Sequence, residues 1–259
     1  HMFNYKLIYI VLPFFVFSCI DVKIVPNYEK FSSDIGDLNY RILYPKNFDK
    51  TKTYPLTLFL HGIGERGDDN ELQLKYIDRV FFNSQNYNDF PSVVIFPQAP
   101  LSDNWSSRIL IDNEIRQFFP KNSTPTNSLQ SVIQLMDSLS KEKHINNKRI
   151  YLTGLSNGAM GSFELLKHRP NMFASAVLIC GGGDLDWAKN FAKTTPVWIA
   201  HGAKDRIVYP EFSLKMAEAI IREGGNPKLT LYENVFHDSW YNVFEDPMYL
   251  EWLFSHTKN

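Results

Sequence analysis

Four short apolar runs, each closed by turn residues, set the strongest limit on how this chain can fold: PLTLFLHG (55–62), SVVIFP (92–97), RIYLTG (149–154) and SAVLICGG (175–182). Runs that are apolar on both faces suit strands buried in a parallel sheet, since a sheet open to water on one side shows alternation instead. PVWIAHG (196–202) and KLTLYENV (228–235) continue the series, and NYRILYP (39–45) alternates as a half-buried edge strand would. Between them lie helical patterns. SLQSVIQLMDSLSKE (128–142) places Val132, Leu135, Met136 and Leu139 on one stripe; GAMGSFELLKH (158–168), EFSLKMAEAIIREGG (211–225) and MYLEWLFS (248–255) follow. Strand and helix alternate, which predicts an α/β fold: a doubly wound, mostly parallel sheet with helices on both faces. In such sheets the crevice outside the strand C-termini binds ligands, so the long irregular segment 98–125 is expected to form a wall or lid of a site.

At 259 residues, 44% of them hydrophobic and 21% charged, the chain has material for one ordinary globular domain, and no Gly/Ser- or Pro-rich linker divides it. A formal net charge of -1 without a long basic run argues against a nucleic-acid partner. The N-terminus reads separately. His1 before Met2 has the look of a cloning remnant, and Lys6 precedes the apolar run LIYIVLPFFVFS (7–18), interrupted by Pro13 and followed by Cys19. That run is too short to span a bilayer and suits a signal h-region. VFSC resembles a bacterial lipobox, with Phe17 bulky for that pattern, and would make Cys19 the lipidated first residue of an exported, envelope-anchored protein. The alternatives are a simple secretory signal or a buried N-terminal helix. The expected division is therefore 1–19 as signal, 20–36 as tether and 37–259 as the folded domain, with membrane contact only through a lipid on Cys19. Cys180, at the end of a buried run, reads as a small apolar filler. No Cys/His cluster has zinc spacing, and no metal or cofactor is expected.

One motif carries chemistry. Gly154-Leu155-Ser156-Asn157-Gly158 is G-x-S-x-G with a strand before it and a helix after it. A nucleophilic serine needs this setting, because the tight turn exposes its hydroxyl at the helix N-terminus and leaves no room for side chains two residues away. A strand-to-helix turn with a capping serine is the structural alternative. A hydroxyl nucleophile needs a base and a group to orient that base. His237, in the loop after the last strand, and Asp205, after the strand before it, stand in the chain order Ser–Asp–His. Asp184 and Asp186, after ICGGG, are rival acids. Donors for a developing oxyanion are expected from the backbone N–H of Asn157 and from Ile63 in LHGIGERGDDN. His61 and His201 read as structural residues at strand ends, while His144, His168 and His256 read as solvated.

LHGIGERGDDN, IFPQAP, KRIYLTGLSNGAMGSFEL, ICGGGD, PVWIAHGAKDRIV and VFHDSWYNVFEDPMYLEWL together resemble the α/β-hydrolase superfamily. More narrowly, they are similar to bacterial feruloyl and acetylxylan esterases and to prolyl-oligopeptidase-like peptidases. The resemblance covers residues 37 to 256. It implies Ser156 as nucleophile, Asp205 as acid, His237 as base, Ile63 and Asn157 as oxyanion donors, and Glu65 and Arg66 as braces of the site. Relatives usually carry Met or Gln where this chain has Asn157. Trp105 and Trp240 are candidate walls of a substrate pocket, or ordinary packing aromatics. The implied activity is ester hydrolysis through an acyl-enzyme, on a small ester or an esterified carbohydrate such as acetyl or feruloyl polysaccharide. A peptidase for short peptides and a non-catalytic glycan-binding lipoprotein are the other readings. The oligomeric state is open.

Overall fold

The computed structural model describes residues 26–258, apart from 35, 112–115 and 121. Residues 1–25, with the signal-like run and Cys19, lie outside the described residues. In chain order the strands are β1 (Asn27–Ser33), β2 (Gly36–Leu43), β3 (Tyr54–Leu60), β4 (Val93–Gln98), β5 (Ile109–Ile111), β6 (Arg116–Phe118), β7 (Ile145–Leu155), β8 (Ser175–Ile179), β9 (Val197–Gly202) and β10 (Lys228–Tyr232). Eight of them form one sheet in the order β1-β2-β4-β3-β7-β8-β9-β10, and β5 pairs with β6 apart from it. From β4 to β10 every pairing is parallel; β2 and β1 run antiparallel at the other end.

The doubly apolar runs divide residue by residue between two cores. Leu56, Leu58 and Leu60 of β3, Ile150 and Leu152 of β7, and Val197 and Ile199 of β9 face one side. There they meet Val132 and Met136 of α3 (Asn127–Leu139), Phe163 and Leu166 of α4 (Asn157–His168), and Met216 and Ile220 of α6 (Glu211–Arg222). Phe59, Tyr151, Val177 and Trp198 face the other, against Val80, Val243 and Leu253. Those three belong to α1 (Asp78–Phe81), α7 (Trp240–Glu245) and α8 (Met248–Phe254), and the short helices α2 (Ser84–Asp89) and α5 (Ala188–Phe191) complete the set. The fold is that of an α/β-hydrolase.

Two sequence expectations change at the antiparallel end. Residues 27–33, assigned to a tether, form β1, and β2 is therefore not the edge. β1 is held by its backbone ladder to β2 and by Phe31 packed on the core, while Glu29 and Lys30 are exposed. An edge strand of that kind needs little apolar periodicity, so its sequence reads as polar tether. Among the described residues no helix is long and apolar enough to cross a membrane.

Candidate active site

Ser156 stands between β7 and α4 at φ 53° and ψ -118°, with its N–H donating to the Ile179 carbonyl at 2.8 Å. The turn is tight enough to require glycine on both sides. A Cβ on Gly158 would fall 2.0 Å from the Leu60 carbonyl oxygen, and one on Gly154 would fall 2.6 Å from that of Gly158. Close packing of backbone on backbone thus aims the serine side chain out of the sheet at the C-terminal end of the strands.

The loops after β9 and β10 bring the other two groups to it. Ser156 Oγ lies 3.0 Å from His237 Nε2, and His237 Nδ1 lies 2.7 Å from Asp205 Oδ2. The loops approach so closely that a Cβ on Gly202 would sit 2.0 Å from the Phe236 carbonyl oxygen. Lys204 N–H donates to the Val235 carbonyl at 2.9 Å, tying the acid's loop to the histidine's. Oδ1 of Asp205 accepts N–H bonds from Ile207 and Val208 at 2.8 and 3.0 Å. Burial alone would push this carboxyl up, but hydrogen bonds from His201 and His237 outweigh it and hold the group far below the usual carboxylate range. Asp205 is thus an anion facing the imidazole. Asp184 instead caps a short helical turn, accepting the Asp186 N–H at 2.8 Å.

The oxyanion candidates sit at two helix beginnings. Asn157 opens α4 and Ile63 opens a 3-10 turn (Ile63–Glu65); the first N–H groups of a helix have no carbonyl partner inside it. The turn lies beside the serine, since the Cβ direction of Gly62 ends 3.7 Å from Ser156 Cβ. Arg66 braces this loop: its Nε donates to the Ile63 carbonyl at 2.9 Å and its guanidinium to the carbonyls of Leu101 and Asp103. Glu65 is buried, which pushes its carboxyl up against the opposing pull of the Gly62 backbone hydrogen bond. His61 Nδ1 donates to the Gly62 carbonyl at 2.6 Å and Nε2 accepts from Ala99 N–H at 3.1 Å. Its burial pulls it down to about 4, so it is a neutral structural ring.

Trp105 does not wall a pocket. It is 0% exposed, packed edge-on against His61 at 4.9 Å, because the chain around Asn104–Ser107 folds down onto α4. The Asn157 side chain does the fastening, accepting from Trp105 N–H at 3.0 Å and donating to Asn104 Oδ1 at 3.1 Å. That is a use for an amide after the serine which the motif alone did not reveal. Trp240 stands beside the relay, its ring perpendicular to His237 at 5.5 Å, but it too is buried. The ligand atoms of Cys180, Asp205 and His237 lie within 4.8 Å of one another. Burial, reinforced by the Asp205 charge, pushes the Cys180 thiol well up, so it stays protonated and is a poor metal ligand. Sequence reasoning missed His201, whose Nε2 is 3.1 Å from Asp205 Oδ2. The available signal was its spacing, four residues before the acid in HGAKD.

Such an arrangement can take a proton from a hydroxyl through an imidazole whose charged form an anion stabilises, next to N–H groups able to meet a developing negative oxygen. Comparison with known proteins agrees with the fold. Residues 48–249 match the phospholipase/carboxylesterase family model. A thermostable esterase of known structure is 31% identical with a TM-score of 0.79 over 90% of this chain. A bifunctional acetylxylan esterase/xylanase of Neocallimastix patriciarum is 31% identical over 155 residues, 60% of this chain. A ferulic acid esterase structure aligns over 88% of this chain and 97% of its own with TM-score 0.64 at 13% identity, a likeness of fold. The chain spans 63% of the thermostable esterase's chain and 20% of the bifunctional enzyme.

Proposed function

Because the chain belongs to the phospholipase/carboxylesterase family, we propose that it is a serine esterase in which Ser156, His237 and Asp205 form the catalytic relay. Ser156 Oγ attacks the ester carbonyl while His237 Nε2 takes its proton. The tetrahedral oxyanion is met by the N–H groups of Ile63 and Asn157. His237 returns the proton to the departing alcohol, leaving an acyl-serine. Water, deprotonated by the same nitrogen, then releases the acid. Asp205 holds the imidazole with Nδ1–H toward it and stabilises the charged form. The observation that carries this reading is the unbroken pair of contacts, 3.0 Å from Ser156 to His237 and 2.7 Å from His237 to Asp205.

We infer acetyl or feruloyl esters of polysaccharides as the substrate class. Two things support it: the acetylxylan esterase relative, and Phe236, which is 51% exposed next to His237 and offers an apolar surface to an acyl or aryl group. Export with lipid on Cys19 fits an enzyme working on such polymers. Purified protein assayed on p-nitrophenyl acetate, acetylated xylan, methyl ferulate and aminoacyl-arylamides tests the reading. Ester turnover with acetate or ferulate release is expected. Cleavage of the arylamides alone would replace it with a peptidase, and failure to react with a fluorophosphonate would remove the nucleophile.

A further inference from the structure

Asp205 is touched by two histidines, and the proton relay uses only one of them. His201, on β9, is fully buried. Its Nε2 lies 3.1 Å from Asp205 Oδ2, the same oxygen that takes His237 Nδ1, and 2.8 Å from the Val208 carbonyl oxygen. A carbonyl and an ionised carboxylate only accept, so Nε2 carries a hydrogen and directs it between them. At the far side of the ring, Nδ1 lies 2.7 Å from Ser213 Oγ, and that hydroxyl lies 3.0 Å from the Gly181 carbonyl oxygen. Turning the ring over would put carbons against Asp205 and Ser213, so both ends fix its orientation. The two N–H groups on Oδ1, from Ile207 and Val208, hold one half of the carboxylate; His201 holds the other.

We propose that His201 is a positioning residue for the reaction: it fixes the plane of the Asp205 carboxylate so that Oδ2 points at His237 Nδ1, and by sharing that oxygen it moderates the acid's hold on the His237 proton. The proposal rests on Asp205 being the acid of the relay. Val208 ties it to the loop as well, because this one residue donates to Oδ1 through its N–H and accepts from His201 through its carbonyl. Without the His201 donor the carboxylate keeps more negative charge on Oδ2 and binds the imidazolium more tightly. Among the described residues, the ionisable groups facing this cluster include Cys180 just after β8, Asp238 next to His237, and Glu65 from the loop after β3. None of them donates to Oδ2.

His201→Phe, which keeps a ring but loses the donor, and His201→Gln, whose amide nitrogen reaches the place of Nε2, separate positioning from packing. With p-nitrophenyl acetate, His201→Phe should lower kcat by about 10- to 100-fold, the range a small misplacement of reacting groups costs. KM should stay within about twofold and the acid limb of kcat/KM should move to higher pH. His201→Gln should recover most of kcat and return the limb toward wild type. Ser213→Ala, which frees the back of the ring without touching Asp205, should lie between. Wild-type kcat in His201→Phe would overturn the proposal, as would equal losses in Phe and Gln that track melting temperature. If the wild type hydrolyses no ester, the functional reading fails separately. The downfield proton resonance of the His237–Asp205 bond then decides: displacement in His201→Phe and restoration in His201→Gln support positioning, and an unchanged signal overturns it.

Discussion

Ser156 holds a conformation at φ 53° in which an L-residue is strained and glycine is not. Strain of this kind costs about 1–3 kcal/mol, and it is retained here because only this turn presents the hydroxyl to His237. Ser156→Gly and Ser156→Ala should both abolish turnover, but Gly should be the more stable by about 1 kcal/mol, since alanine keeps the clash that glycine relieves. Thermal melts of the two variants check this; equal melting temperatures would show the turn unstrained. The relay itself should fail unequally. Ser156→Ala or His237→Ala should lower kcat by about 10⁶-fold, and Asp205→Asn by about 10⁴-fold. The aspartate only orients and stabilises the base, whereas the other two exchange the proton. In Asp205→Asn the amide can offer NH₂ where the donors of His201 and His237 arrive, so its defect should appear in kcat rather than in KM. Single-turnover kinetics with an activated ester measure it.

Of the 98–125 segment, expected as a wall or lid, the chain at Asn104–Ser107 and at Ser123 is fastened to α4 along two turns of helix. Asn157 holds Trp105, and Glu164 accepts from Ser107 N–H at 2.8 Å and from Ser123 Oγ at 3.1 Å. Glu164 is 0% exposed, and burial pushes its carboxyl up despite those donors. A carboxyl raised on folding stabilises the protein at low pH, and that contribution is lost as pH rises through the raised value. Glu164→Gln can keep both partners, its oxygen taking Ser107 N–H and its NH₂ donating to Ser123. The stability of Glu164→Gln relative to wild type should therefore grow from about pH 4 upward, as urea unfolding at several pH values would report. A constant difference would show the carboxylate already ionised at no cost. This element also marks where the sequence stops being legible. Strands buried on both faces announce themselves through unbroken apolar runs, and the ends of β7 and β9 therefore located Ser156 and Asp205. β10, an edge strand with Leu229 and Leu231 exposed, was legible from its alternation and led to His237. Trp105 misled because an aromatic in a loop gives no sign of which way the loop folds. β1 was silent because its backbone ladder, not an apolar face, defines it. His201 was visible as a residue but not as a donor, since a strand-end histidine acquires that role only when the following loop turns its acid back onto the ring.

The whole molecule sets one more property: two ionisable groups at or just after the C-terminal ends of strands, His61 and Asp205, are buried where its chemistry lies. His61, at the end of β3, is buried neutral at about 4, against an ordinary value near 6.5. A histidine lowered on folding gives stability that is present above its unfolded value and lost as pH falls toward the folded one, here between about 6.5 and 4. The shift corresponds to about 3 kcal/mol. Asp205, held below the carboxylate range, contributes stability that survives this window and is lost only once pH falls below about 4. Acid unfolding should therefore come in two stages, first from forcing a proton onto a ring whose Nε2 must accept from Ala99, then from neutralising the acid that two histidines share. His61→Gln, whose side-chain oxygen can still accept from Ala99, should be less stable at pH 7 yet lose less between pH 6.5 and 4 than wild type does. Urea denaturation of both proteins across that window measures the difference in slope, and parallel curves would mean that His61 does not govern the first stage.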